Sequence, residues 1–280
     1  LGPNHVLVVN LIPNSALHYT TNNLSGKIGI DYKLNGGNLV YANYSRGYRA
    51  KSFNAQAFFD PSELSIAKPE SVDAFELGAK TQFADRRVTL NMAGFYYKYK
   101  NQQFINISPS TAAQTLENIP RSRILGGEAE LTARANDRVT LRAGVGLLDT
   151  KIQQGIVSGV NVAGHKLSNA PSLTFNGGFD VTAFDGEAGK LSLHGDLAYS
   201  ASQYFEVINI SRLKQKSYAL LSGHIDWESA NGRWNASIWG KNLTNQFYFT
   251  SRVDLLAGFG FDYNHISAPR TYGITVGVKY

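Results

Sequence analysis

The feature that most constrains this chain is a two-residue alternation of apolar and polar side chains. It recurs from Gly26 to the end and specifies strands with one apolar and one polar face. In residues 26–34, Ile28, Ile30, Tyr32 and Leu34 share a face opposite Lys27, Gly29, Asp31 and Lys33. Phe75, Leu77, Ala79 and Phe83 oppose Glu76, Lys80 and Gln82, and Val139, Leu141, Ala143, Val145 and Leu147 oppose Thr140 and Arg142. Leu191, Leu193 and Leu197 oppose His194 and Asp196; Tyr272, Ile274, Val276, Val278 and Tyr280 oppose Thr271, Thr275 and Lys279. The runs are long. Segments 70–83, 138–150, 171–184 and 218–230 exceed the roughly five or six residues of a soluble strand. They reach the roughly 9–11 that a tilted strand needs to cross a membrane.

The connections repeat a second pattern. Turn residues mark tight reversals at Asn35-Gly36-Gly37, Ala84-Asp85-Arg86, Asn136-Asp137, Asp185-Gly186 and Asn231-Gly232. Between them lie longer links at about 49–69, 104–119, 154–170, 204–217 and 250–267. Strict short–long alternation is what a barrel with short periplasmic turns and long extracellular loops produces. About eleven strands result, with a further apolar piece at Val6 to Ile12. Residues 1–25 are therefore expected to hold a partial upstream strand or loop, and 26–280 the barrel strands.

Composition agrees. Fifteen Tyr, fifteen Phe and three Trp stand beside 17% charged residues, against about 25% in a soluble domain. The mean hydropathy of −0.22 suits a wall with an apolar outside and a polar inside. No run of about 18 apolar residues occurs, so any membrane span must be made of strands. Gly127, Ala129, Ala133, Gly177 and Gly240 on apolar faces would leave gaps in a packed core but can be bathed by lipid. Cysteine is absent, which removes disulfides, Cys metal sites and thiol nucleophiles. The net charge of +6 is scattered, so nucleic acid is not an expected partner. The chain opens at Leu1 without a signal-peptide pattern, and reads as a piece of a longer protein.

Six short segments, in order, carry a family resemblance. They are Tyr41-Ala42-Asn43-Tyr44-Ser45-Arg46-Gly47-Tyr48-Arg49-Ala50; Lys68-Pro69-Glu70-Ser71-Val72 with Phe75-Glu76-Leu77-Gly78; and Gly126-Gly127-Glu128-Ala129-Glu130-Leu131. Leu167-Ser168-Asn169-Ala170-Pro171, Asn242-Leu243-Thr244-Asn245 with Tyr248, and Pro269-Arg270-Thr271-Tyr272-Gly273 complete the set. In this order they resemble the C-terminal portion of TonB-dependent receptors, over roughly residues 25–280. The resemblance implies an all-β fold: the C-terminal half, about eleven strands, of a 22-stranded antiparallel transmembrane β-barrel. The plug domain that fills such a barrel is absent from this stretch. It further implies a bacterial outer-membrane location and active uptake of a scarce ligand, with ferric siderophores the commonest class and cobalamin, haem or carbohydrates as others. Energy would come from the TonB–ExbB–ExbD complex acting through the plug and a TonB box upstream. No resident cofactor and no catalytic residue are implied; a ferric chelate would be cargo. A passive porin or structural barrel is the alternative, and an outer-membrane enzyme stands third, since no nucleophile and base visibly converge with a third partner.

Individual side chains follow from this frame. The ligand surface is expected on loops 49–69, 204–217 and 250–267, which mix the bases Arg49, Lys51, Arg212, Lys214 and Arg252 with the aromatics Phe58, Phe59, Phe259, Phe261 and Tyr263. The same bases equally suit anionic lipopolysaccharide. Glu76, Lys80, Glu128, Arg142, Asp196 and Asp226 are expected to face the lumen, with Arg46 beside Glu76. Ile28, Leu77, Leu141, Leu193, Ile274 and Val276 are expected to face lipid. Trp234, Trp239, Phe95, Tyr96, Tyr97 and Tyr99 are expected in interfacial girdles. Tyr280 on an alternating strand resembles the aromatic-ended signal read by the barrel-assembly machinery. None of the six histidines shows ligand spacing: His194 alternates with Ser192 and Asp196, and His224 with Ser222 and Asp226, as a lumen-facing strand does without a metal. Asn242-Leu243-Thr244-Asn245 reads as a strand-to-loop transition in which Asn side chains bond nearby backbone.

Overall fold

A computed structural model describes residues 20, 22–54 and 63–279. Val6 to Ile12, Phe58, Phe59 and Tyr280 lie outside the described residues. Eleven strands make one antiparallel sheet in sequence order, which matches the expected count. They are β1 (Gly26–Lys33), β2 (Leu39–Arg49), β5 (Glu70–Phe83), β6 (Val88–Ile107), β7 (Gln114–Asn136) and β8 (Val139–Gln154). β11 (Leu173–Gly186), β12 (Gly189–Ser200), β13 (Tyr218–Glu228), β14 (Trp234–Lys241) and β17 (Thr271–Val278) complete it. Three two-stranded ribbons sit within the long links: β3 (Ser52–Asn54) with β4 (Ser65–Ala67), β9 (Ile156–Val157) with β10 (Val160–Asn161), and β15 (Phe249–Val253) with β16 (Tyr263–Ile266). One helical turn, Leu256–Phe259, is the longest α-helix described. Among the described residues the sheet is open, with β1 and β17 each paired on one side.

The tight reversals fall where the turn residues stand. Gly36 takes φ 77° between β1 and β2, a left-handed conformation that costs other residues strain. The β11–β12 reversal lies two residues beyond its expected position, because Gly186 pairs with Gly189. Gly189 supplies φ 105°, and a Cβ there would meet Glu228 O at 2.1 Å. One expectation fails among the long links. Residues 104–119 are mostly ladder, since β6 and β7 stay paired from Val88↔Ala133 out to Ile107↔Gln114. The polar stretch from Gln102 to Asn118 keeps enough alternation to continue the hairpin beyond membrane height.

Register fixes the two faces. On one face Ile28, Tyr44, Phe75, Tyr96 and Leu125 form a cross-strand row. Tyr44 Oη donates to Asp73 Oδ1 at 2.7 Å, which confirms that its row and the next share that face. Leu141, Leu193, Ile274 and Val276 belong to the same face through Phe179, Val181, Ile225, Ile238 and Ala236. Leu77, Ile274 and Val276 are each about two-thirds or more exposed, as lipid-facing side chains are when no lipid is counted. The opposite face carries Glu76, Lys80, Glu128, Arg142, Asp196 and Asp226, and there Arg142 pairs with Asp180. Both sets of face expectations hold.

Parity also corrects several. Arg46 lies on the apolar face, two strands across from Lys98 and ion-paired to Asp73 at 3.2 Å. Alternation sends only Tyr96 of the β6 aromatics outward. Phe95 and Tyr97 stack at 5.0 Å on the polar face, and Tyr99 shares it. Trp239 is paired with His224, also on the polar face, so of the two expected girdle tryptophans Trp234 alone keeps that role, alongside Tyr96. Most outward aromatics fall in two bands, with Phe179 between them: Phe83, Phe184, Trp227 and Trp234 near the tight turns, and Tyr44, Phe75, Tyr96 and Tyr272 near the long links.

One residue pair beyond the second band runs a charged row: Arg46, Asp73, Lys98, Arg123 and Lys151 on β2, β5, β6, β7 and β8. Four bases and one acid give it a net charge of +3. Asp73 and Lys98 each stand ten residues from the ends of β5 and β6 at the tight turn. At about 3.4 Å per residue and a tilt of about 40°, that distance is roughly 26 Å, close to the apolar band of an outer-membrane barrel. The charged row therefore marks the outer headgroup boundary.

Candidate ligand-binding cap

Above that boundary the long links pack on one another and on the β6–β7 hairpin. The β2–β5 link is latched by side chain to backbone bonds. Asn54 Nδ2 donates to Glu63 O and Gln114 O at 2.8 Å each, and Ser65 Oγ accepts from Leu116 N at 2.6 Å. Gln103 Nε2 donates to Ala50 O and Lys68 O. The β8–β11 and β12–β13 links share an apolar core of Ile119, Ile152, Val157, Val162, Leu167 and Val207, against which Phe104 and Ile124 pack. Each fully buried aliphatic side chain there contributes on the order of 1.5–3 kcal/mol before ordering entropy. Asn209 clips the two links together, its Oδ1 accepting from Lys166 N at 2.7 Å and its Nδ2 donating to Lys166 O.

The β14–β17 link is held by charge. Arg212 bonds Asp254 and, through two nitrogens, Asp262 at 2.9 and 3.1 Å. These carboxylates raise the Arg212 pKa, with the Asp262 hydrogen bond the largest cause. Glu206 Oε1 accepts from Asp254 N at 3.0 Å, and burial pushes the Glu206 carboxyl above its usual range. The link also reaches the hairpin tip, where Gly258 N donates to Pro109 O at 3.0 Å. At its root Asn242, with φ 51°, accepts from Gln246 N at 2.7 Å and donates to Gln246 O and Ala268 O. The Asn-rich segment is thus a strand-to-loop transition.

The expected site residues fall into two groups. Arg212, Arg252, Phe259 and Tyr263 belong to one assembly: Arg252 donates to Arg212 O at 2.7 Å and lies 4.3 Å from the Phe249 ring centroid, and Tyr263 pairs with Val253. Phe259 packs edge-on to Phe261, and both are about half exposed. Lys214 is exposed and sits over the Tyr204 ring. Arg49 and Lys51 lie in the other group at the β2–β5 link, Arg49 3.9 Å from Glu70 and Lys51 over Phe53. Arg212 is a structural clasp between links, with its charge already matched by two carboxylates. Sequence missed this because the partners lie 42 and 50 residues away.

The polar wall below the cap brings together a cluster that neither strand reveals alone. His194 and His224 are cross-strand partners whose rings stack at 4.2 Å, and both approach Asp226. Spacing within one strand could not show it; pairing β12 with β13 in register does.

A family model for the TonB-dependent receptor-like β-barrel matches residues 9–243. The chain belongs to this family. It is 29% identical over 151 residues, 51% of its length, to a probable TonB-dependent siderophore receptor, PiuA, of Acinetobacter baumannii, covering 20% of that protein. It is 24% identical over 261 residues, 90% of its length, to the ferric-pyoverdine M114 receptor PbuA of Pseudomonas sp., covering 29% of it. Its fold is similar to the ferric yersiniabactin uptake receptor FyuA of Yersinia pestis, with a TM-score of 0.75 at 22% identity, over 91% of this chain and 37% of that one. The chain thus spans about a fifth to a third of the curated relatives it matches, and is an outer-membrane barrel wall.

Proposed function

We propose that the protein containing this wall takes up a ferric siderophore across the outer membrane in a TonB-dependent manner. The observation that carries the proposal is the cap. Its links fuse into one packed unit above the membrane boundary and present Phe259, Phe261, Tyr263 and Lys214 on their exposed side. Aromatic faces and ammonium groups suit chelates that carry flat rings and negative charge. Two relatives, a probable siderophore receptor and a ferric-pyoverdine receptor, bear names of that class. The remainder of a 22-stranded barrel, a plug and coupling to TonB–ExbB–ExbD complete the proposal. Chemistry of an enzymatic kind has no part in it.

Iron-starved cells deleted for the gene should lose uptake of at least one labelled ferric siderophore from a hydroxamate, catecholate and mixed-ligand panel. Replacing Arg49 and Lys214 with Ala should weaken binding of that chelate about three- to tenfold, less at high salt because the charges are exposed. Arg212 is unsuitable for this test, since its loss would open the cap. Full uptake of every chelate by deleted cells overturns the proposal.

A second partner follows from the charged row. Lys98 and Arg123 stand one residue pair outward of Tyr96 and Leu125, which line an apolar groove with Ile28, Tyr44, Phe75 and Leu77; Lys151 is the cross-strand partner of Arg123, which also pairs with Asp149, and Lys100 and Arg121 lie one row further out. Phosphate above and acyl chain below is the chemistry of lipopolysaccharide. Substituting Lys98, Arg123 and Lys151 with Gln should reduce co-purifying lipopolysaccharide severalfold, measured by phosphate content of the detergent-extracted protein. Equal content in both proteins removes this partner while leaving uptake untouched.

A further inference from the structure

A cluster on the polar face of β11, β12 and β13 converges on one carboxylate oxygen. His194 Nδ1 lies 2.5 Å from Asp180 Oδ1, and Asp180 is ion-paired through its other oxygen to Arg142. His194 Nε2 lies 3.3 Å from Asp226 Oδ2, and His224 Nε2 lies 3.2 Å from that same oxygen. Two imidazole nitrogens and one carboxylate oxygen, from adjacent strands in register, thus face a single point.

We propose that His194 Nε2, His224 Nε2 and Asp226 Oδ2 bind a divalent transition-metal ion, Zn²⁺ or Cu²⁺, on this wall. Two imidazoles and one carboxylate form a donor set that suits these ions. With bonds of about 2.1 Å, the edges of a tetrahedron are roughly 3.4 Å, near the 3.2 and 3.3 Å separations of the nitrogens from Oδ2. All three donor atoms lie within 4.8 Å of one another. Rotation about the Cβ–Cγ bonds, a soft torsion in His, tilts the stacked rings to close the remaining edge. Asp180 supplies the carboxylate that characteristically fixes the tautomer of a metal-binding imidazole, and Arg142 holds Asp180. The fourth position opens toward the polar side of the wall. The site is independent of which chelate the cap captures.

The test uses the protein extracted from outer membranes in detergent, without a histidine tag and stripped with chelator. Zn²⁺ titration should show one site that is lost in the double variant H194Q/H224Q, and D180N should weaken it about 10- to 100-fold. The Cu²⁺ resonance spectrum should show coupling to two imidazole nitrogens, reduced to one in H224Q. Folding of each variant is read from heat-modifiable migration. Binding by the unmutated protein no tighter than by the folded double variant overturns the proposal. Should the double variant fail to fold, the Cu²⁺ spectrum of the unmutated protein decides: absence of two-nitrogen coupling overturns the site.

Discussion

At the scale of single residues, the cap shows how a charge legible in sequence acquires its role only from partners that sequence does not place. Arg212, Lys214 and Arg252 stood out as bases in exposed links; Arg252 of link 250–267 and Arg212 of link 204–217 are bound into the cap, and Lys214 stays exposed in the 204–217 link. Glu206 was the lone acid there, and burial raises its pKa while its Oε1 accepts from Asp254 N. A carboxyl whose folded pKa exceeds its unfolded value, about 4.3, holds its proton longer in the docked cap than in the open one. Between those two values the docked state binds more protons, so docking weakens as pH rises through the window and stays weaker above it. Glu206→Gln keeps the acceptor and removes the titration. Protection of the Asp254 amide, corrected for intrinsic exchange, should therefore decline as pH rises above the free carboxylate value of about 4.3 in the unmutated protein and stay flat in the variant. An identical slope in both would show that another group governs the loop.

At the scale of elements, alternation was the most legible property of the chain, because lipid on one side and water or polar protein on the other impose a period of two on every strand. It placed β5 at Glu70–Phe83, the expected bounds, and it sorted Glu76 from Leu77 correctly. The failures have a common cause. Arg46, Phe95, Tyr97, Tyr99 and Trp239 were assigned by residue type, whereas parity along the strand decides: Arg46 follows Ala42 and Tyr44 outward, and Phe95 follows Ala93 inward. Arg46 can face outward because it lies in the charged row, past the apolar band. The same rule gives a test at mid-strand. Leu77→Arg places a charge toward lipid near the middle of the span and should destabilise the folded wall by about 2–4 kcal/mol. Ala93→Arg, pointing the other way beside its partner Glu128, should cost less than about 1 kcal/mol. Unfolding in urea from lipid vesicles, compared between the two variants, measures the difference; equal costs would mean that the faces are assigned wrongly.

At the scale of the whole molecule, the two sheet edges govern. β1 is exposed along its full length, with Ile28 and Ile30 each above 70% exposed, and β17 carries Tyr272 and Ile274 at 79% and 72%. Among the described residues, each strand presents one row of N–H and C=O groups without a strand partner on an apolar element. Inside a bilayer such groups cost several kcal/mol apiece, so a wall of strands persists there only when both edges are paired. Solved relatives of which this chain covers about a third are consistent with further strands filling that gap. Edge chemistry thus makes a demand that neither composition nor motif states. In the protein as it sits in the outer membrane, amides of Gly26–Lys33 and Thr271–Val278 should exchange as slowly as those of β6 and β7, because each strand is then paired on both sides and every amide has an acceptor. Residues 26–280 produced alone and refolded into detergent should keep slow exchange at the centre of β6 and β7. In that piece the outward-facing half of the β1 and β17 amides should exchange orders of magnitude faster. Slow exchange at both edges in the isolated piece, without self-association by light scattering, would mean that the eleven strands close on themselves, and the proposed 22-stranded barrel would fall.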